Sequence, residues 1–397
     1  MGNKIYRYSL AGLSTLGICM ALYVCLSSAL LVALIVIALA IVILSVGERK
    51  NVIDKVYRLI GDNKALNLGI IALFILLLPF LVQGNNYLLH IAIMAGIFSI
   101  VALGLNFQIG GIGQINFAPA AFYGMGAYTS AFLSVKMGLS PWLGTLCGLL
   151  MAIVLGVVVG FPALKARGYY LSLVTIALQI IFTLMIVNSP WIGGPNGIPG
   201  IPSYQIGGFS FRTPVALGGI QLPYQVNFLY LVYILLALFA LAANRLYNSR
   251  VGLAWNAIEQ DPIVAACQGI NLTNTQLLAF CLGAAYAGIA GAIYGHYTSF
   301  IGVENFDFSQ SLIFICMVIL GGTDNVPGVV LGAVLLTMID EKLRDFSGYR
   351  LLMYGIVLII ILIIRPKGLL PKRIRVYQQK DRSEYSSHSA VVTGGSR

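Results

Sequence analysis

Two side-chain amides, Gln114 and Asn116, stand in an apolar stretch bounded by glycines and a proline, Gly110-Gly111-Ile112-Gly113-Gln114-Ile115-Asn116-Phe117-Ala118-Pro119. A primary amide both donates and accepts, so inside an apolar environment it must meet protein, water or a polar solute. Gly110, Gly111, Gly113 and Pro119 would interrupt a helix here, and a membrane tolerates such interruptions only where protein or a water-filled path satisfies the freed backbone. Discontinuous helices of this kind line substrate routes in transporters. Asn106, Gln114, Asn116, Phe122, Tyr123, Gly124 and Gly126 are therefore candidates for a translocation path, the alternative being a kinked packing helix whose amides bond to neighbours.

A second constellation lies in the polar segment from Asn244 to Gln276. Asp261-Pro262 is a helix start, because Asp accepts free amide hydrogens and Pro suits the first turn. Ile263 to Gln268 then forms two turns, and Gly269 ends them at the position glycine favours, with Ile270 following. A short helix held between two spans can transmit force from a soluble partner; an amphipathic loop on the bilayer surface is the alternative. Lys165 and Arg167 sit in a short basic turn, Phe161 to Tyr170, which topology alone also explains. Gly193-Gly194-Pro195-Asn196-Gly197-Ile198 dictates turns and fits either a lid or an ordinary loop.

Other chemistries lack their residues. No G-x-x-x-x-G-K-[ST], G-x-S-x-G or H-E-x-x-H occurs. No nucleotide, cofactor or metal is expected on this chain, and an enzyme reading is disfavoured. The six cysteines are widely spread without metal-ligand spacing and read as small buried hydrophobes. His90, His296, Glu304, Asp307, Asp340, Glu341 and Arg350 fall near span edges, where they read as interfacial groups. The near absence of ionisable residues within spans argues against a proton-coupled pump or a stand-alone channel.

The elements that must hold these residues are set by composition. Of 397 residues, 59% are hydrophobic and 9% charged, far from the soluble norm of roughly a quarter charged. The fold class expected is all-α, a polytopic bundle of about ten to twelve transmembrane helices, some broken or re-entrant, at about 20 residues per crossing. Residues 8–45 suffice for a hairpin turning at Ser27 and Ser28; further runs cover 67–84, 87–108, 114–135, 142–162, 170–188, 226–243, 276–298, 309–322, 326–339 and 350–365. The organisation expected is an N-terminal membrane hairpin with a basic segment (1–65), a transmembrane domain (66–370) and a polar tail (371–397).

The net charge of +11 sits at the edges of these runs and not in a patch interleaved with aromatics, so it marks topology and not nucleic-acid binding. Arg49 to Lys64, Lys165 with Arg167, Arg245 with Arg250, and Arg365 to Arg375 all fall on one side, which places both termini in the cytoplasm. The Pro- and Gly-rich stretch from Asn188 to Val226 falls on the other side, packed over the mouth of the bundle. Gly156-x-x-x-Gly160 and Gly291-x-x-x-Gly295 offer close helix contact.

Taken in order, these segments resemble the permease subunits of ATP-binding-cassette importers for branched-chain amino acids, the Liv-type M family. The resemblance rests on Gly113-Gln114, Ala120 to Tyr128, Arg167 to Tyr170, Gly193 to Ile198, Ser249 to Ala254, Leu320 to Gly322 and Arg365 to Leu369, and runs from about Leu89 to Leu370. It implies a complex in the bacterial inner membrane with a second, Liv-type H-like permease, two ATP-binding cassette subunits that hold ATP and Mg, and an external solute-binding protein. Glu259, Asp261, Pro262, Ala265, Gly269 and Ile270 would form the loop that couples to the ATPase. Ile263, Val264 and Ala265 stand where the wider pattern has Glu-Ala-Ala, and Pro119 where relatives commonly have His. Branched-chain or other neutral amino acids are the cargo implied, with urea or short amides as the alternative.

Overall fold

The computed structural model describes residues 12, 15–17, 20–26, 64–82, 85–165, 170–217, 220–344, 349, 352, 355–356, 359–360, 363 and 368–370. The predicted hairpin over 8–45 and the run over 350–365 lie largely outside the described residues, as do Arg167, Arg350 and the tail 371–397.

The described chain is mostly helical because its apolar runs must satisfy their backbone internally. In order come α1 (Lys64–Leu81), α2 (Asn86–Asn106), a π turn (Phe107–Gly111), α3 (Pro119–Lys136), α4 (Pro141–Lys165), α5 (Tyr170–Val187), α6 (Gln225–Tyr247), α7 (Arg250–Gln260), α8 (Pro262–Cys267), α9 (Leu272–Thr298), α10 (Phe308–Gly321) and α11 (Val326–Lys342). Six helices among the described residues are long and apolar enough to cross a membrane, so the expected ten to twelve are not confirmed. The shortfall has local causes. α3 is diluted by glycines, tyrosines and hydroxyl residues, and α11 has 17 residues.

α2 and α9 form the centre and run antiparallel: His90 at the start of α2 meets Tyr297 at the end of α9. Their membrane stretches are 83% and 72% buried, against 28% for α4 and α5, whose Leu150, Val154, Val158, Ile180 and Met185 face outward. α3, α4 and α9 meet through glycines: a Cβ on Gly126 would overlap the Gly288 carbonyl, and one on Gly148 would lie 2.6 Å from the Gly126 carbonyl oxygen. Backbones this close maximise dispersion contact where no hydrophobic driving force exists between helices. Of the glycine pairs read from the sequence, Gly156 and Gly160 pack on Ala284 and Phe280 of α9, and Gly291 on the Tyr123 carbonyl, while Gly295 is looser.

The Pro- and Gly-rich stretch caps the α9 C-terminal end of the bundle. Two 3-10 turns (Pro190–Ile192, Gly194–Asn196) lead into β1 (Ile198–Pro199), then the ribbons β2–β3 (Gln205–Ile206, Phe209–Ser210) and β4–β5 (Val215–Leu217, Ile220–Leu222). β1 pairs antiparallel with β6 (Phe300–Ile301), just past α9, in the register Ile198 to Ile301. His296 corrects an expectation here. It is fully buried, not interfacial: one ring nitrogen lies 2.7 Å from Ser130 Oγ of α3 and the other 2.7 Å from the Pro202 carbonyl of the cap.

Candidate functional site

The predicted interruption exists, and it begins and ends differently from the apolar run. α2 gives way to the π turn Phe107–Gly111, residues 112–118 have no regular form, and α3 starts at Pro119 and not at 114. Asn116 explains the late start: its Oδ1 accepts the Ala118 N–H at 2.8 Å, holding the chain out of helix until Pro119 supplies the first helical position. Amides at the entry to α3 are satisfied from other helices. Thr175 of α5 accepts the Phe117 N–H at 3.0 Å and Ser311 of α10 accepts the Ala120 N–H at 3.1 Å. Ser311 in turn donates to Gln179 Oε1, whose amide nitrogen donates to the Phe306 carbonyl at 2.7 Å. Thr175 and Gln179 were missed in the sequence because each is a lone polar residue in an apolar run, and Ser311 because it reads as part of the polar stretch Ser309-Gln310-Ser311 that opens α10.

The candidate path residues separate into distinct environments. Gln114 is half-buried, its backbone N–H donating to the Gln108 carbonyl at 2.9 Å. Asn106 Nδ2, Gln108 Oε1, Gln114 Oε1 and Asn116 Nδ2 are buried and find no protein partner among the described residues. Tyr123 is buried in an aromatic group with Phe98, Tyr294, Phe306 and Phe314 at ring separations of 5.2–6.3 Å. Phe122 meets Phe280 edge-on at 5.4 Å. Gly124 lies against Phe182 and Phe306, and Gly126 is taken up by its contact with the backbone of α9.

A second interruption, unforeseen as such, separates α10 from α11. Gly322 (φ 105°) and Asp324 (φ 63°) take left-handed conformations that make a sharp turn. The turn meets the first interruption directly: the Asp324 N–H donates to Asn106 Oδ1 at 3.0 Å across 218 positions of sequence. Gly110 packs against the same backbone, where a Cβ would overlap Asp324. The closing motif pins this turn, with Leu369 and Leu370 N–H donating to the Leu320 and Gly321 carbonyls at 2.8 and 3.1 Å. Two motifs read separately in the sequence, Leu320 to Gly322 and Arg365 to Leu369, thus meet at Gly368 to Leu370.

The predicted short helix is present as α8, nearly residue for residue. Asp261 Oδ1 accepts the Ile263 and Val264 N–H groups at 2.8 and 3.1 Å, Pro262 is the first helical residue, and Gly269 (φ 83°) ends it. The Ile270 N–H reaches back to the Ala265 carbonyl at 3.2 Å, which fixes the exit. Ala265 alone in α8 is buried, while Ile263 is 77% exposed and Val264 54%. Cys267 is also exposed, against the expectation that the cysteines are buried hydrophobes; Cys25 fits that expectation. Before α8 comes α7, capped by Ser249 Oγ on the Val251 N–H at 3.2 Å, with Gly252 pressed on the Tyr247 carbonyl. Glu259 of α7 lies beside Gly113 of the interruption. Lys165 is the last residue of α4, and Arg167 lies outside the described residues.

With this arrangement established, comparison with known proteins decides the family. The model of the branched-chain amino acid transport system permease component matches residues 87–364. The chain belongs to this permease family. It is 36% identical over 326 residues to the high-affinity branched-chain amino acid transport system permease protein LivM of Escherichia coli K12, covering 78% of this chain and 76% of that one. The LivM protein of Salmonella typhimurium is 37% identical over 306 residues, covering 74% and 72%. The LivH permease protein of Escherichia coli K12 is 27% identical over 290 residues, covering 69% and 91%. No solved structure matches. The permease is a membrane protein, and its two interruptions lie within the region that defines the family.

Proposed function

We propose that this permease is the membrane-spanning subunit of an ATP-driven importer for branched-chain or other neutral amino acids. It performs no covalent chemistry itself; energy comes from two separate ATPase subunits holding ATP and Mg, cargo from an external solute-binding protein. A Liv-type H-like permease completes the pair, in keeping with the likeness to both LivM and LivH proteins. Both termini and α8 face the cytoplasm, a reading supported by Arg245 and Arg250 beside α7 and by the basic segments at 49–64 and 365–375. The outward apolar faces of α4 and α5 meet lipid or the partner permease.

The observation that carries this reading is α8. A two-turn helix, capped at both ends and joined to α7 through Asp261, presents Ile263 and Val264 to the outside at the α9 N-terminal end of the bundle. Exposed aliphatics on a rigid, polar-flanked projection fit a groove on a soluble partner. The substrate route runs beside the interruption, where Gln114 Oε1 and Asn116 Nδ2 are buried without a protein partner among the described residues. The test is uptake of labelled leucine in cells with and without the gene, with unlabelled alanine, proline or urea in excess. Gene-dependent uptake blocked by alanine or proline but not urea supports the reading, and leucine uptake indifferent to the gene refutes the cargo. Replacing Gly269 by Val forces a β-branched residue to φ 83° and is expected to abolish uptake with the protein still in the membrane. Gln114→Leu with Asn116→Leu is expected to impair uptake while ATPase docking is retained.

A further inference from the structure

Trp255 of α7 is buried with its indole 5.5 Å from the ring of Phe107 and in contact with Gly111, the two ends of the π turn. Its Nε1–H donates to the Thr275 carbonyl in the first turn of α9 at 3.0 Å, so the ring is held between the turn and the central helix. One helical turn further along α7, Glu259 rests on Gly113. α7 and α8 share Asp261, the C-cap of one and the N-cap of the other, so no flexible linker separates α8 from these contacts. At the start of the turn stands the bond from the Asp324 N–H to Asn106 Oδ1.

We propose that the π turn Phe107–Gly111 is the moving joint of the transport cycle, with Trp255 as the lever that works it and the Asn106–Asp324 bond as the clasp that holds it shut. The proposal rests on the importer reading above and names the residues that convert ATPase motion into opening of the path. A π turn differs from α-helix by one residue of register, so a small push shifts it without unfolding. Asn106 and Gln108 are buried in this state, each with one amide atom that finds no protein partner among the described residues, which lowers the cost of leaving it. Gly110 permits the contact on the clasp side, since no Cβ fits between it and Asp324, while the Trp255 ring lies at ordinary packing distance from Gly111. Trp255 and Asn106 are positioning residues, since neither needs to touch cargo.

The whole complex, comprising both permeases, both ATPases and the binding protein, reconstituted in liposomes gives the number of leucine molecules carried per ATP hydrolysed. Trp255→Ala and Asn106→Ala are each expected to lower that ratio by about tenfold or more with assembled complex recovered in normal amount, while Trp255→Phe, which keeps a ring against Phe107, stays within about threefold. An unchanged ratio in both alanine variants overturns the proposal. So does a loss of assembled complex, uptake and ATP hydrolysis in parallel in all of them, Trp255→Phe included, because that is the mark of a purely structural role. If the unaltered complex hydrolyses ATP but carries no amino acid, the importer reading itself fails, an outcome distinct from both.

Discussion

The permease interrupts two of its helices, and the two interruptions are built on different principles. Between α10 and α11 the turn is tight, left-handed at Gly322 and Asp324, and tied by backbone hydrogen bonds from Leu369 and Leu370. Gly321, Gly328 and Gly332 bring the flanking helices into backbone contact. Between α2 and α3 the chain passes through a π turn and the irregular residues 112–118, and four buried amide atoms along it find no protein partner among the described residues. An unpaired buried polar group costs about 1–3 kcal/mol. Against a total stability of about 5–15 kcal/mol such costs are tolerated only where they serve something. The interruption between α10 and α11 is thus a fixed abutment and the one between α2 and α3 a joint leaning on it, with Asn106 the point of contact.

That contrast can be broken by substitution. Gly332→Val, which drives a side chain into Met317 and the backbone of Gly321, is expected to cost about 3 kcal/mol or more and to remove most folded protein, read as recovery of monodisperse permease in detergent. If it is tolerated, the α10–α11 turn is no abutment. Asn106→Leu strands the Asp324 N–H and is expected to cost about 2 kcal/mol, a clear fall in thermal midpoint with the protein still folded. Ser311→Ala removes the acceptor for Ala120 N–H and a donor to Gln179, and about 1.5 kcal/mol is expected on the same assay; no shift would mean that α3 is not anchored through this network. Smallest is Asp261→Ala, expected to cost about 1 kcal/mol within α8 alone. Its signature is faster hydrogen exchange at Ile263 and Val264 with an unchanged thermal midpoint.

Local chemistry made α8 legible from sequence, because Asp261-Pro262 and Gly269 dictate both ends without help from the rest of the chain. The interruption at 110–118 was legible for the same reason, through its glycines and Pro119. Its exact start was not, since an apolar-run reading cannot know that Asn116 will cap Ala118 and delay α3. The run 114–135 is present as α3, which packs among other helices and needs less hydrophobicity than a lipid-facing helix, so its composition leaves it outside the six. Contacts set by the tertiary fold left no trace in the pattern. The Asn106 to Asp324 bond, the meeting of Gly368 with Gly322 and the burial of His296 between Ser130 and Pro202 each join residues far apart in the chain.

The exposed thiol of Cys267 gives the permease a built-in address for chemical labelling. Cys25 is buried, and Cys147, Cys281 and Cys316 lie on the long helices, partly covered, so a water-soluble maleimide reaches the last position of α8 ahead of these. A fluorophore installed there without altering the sequence would ride on the two-turn helix itself. Its brightness and rotational freedom would then record, in real time, each arrival and departure of whatever covers Ile263 and Val264.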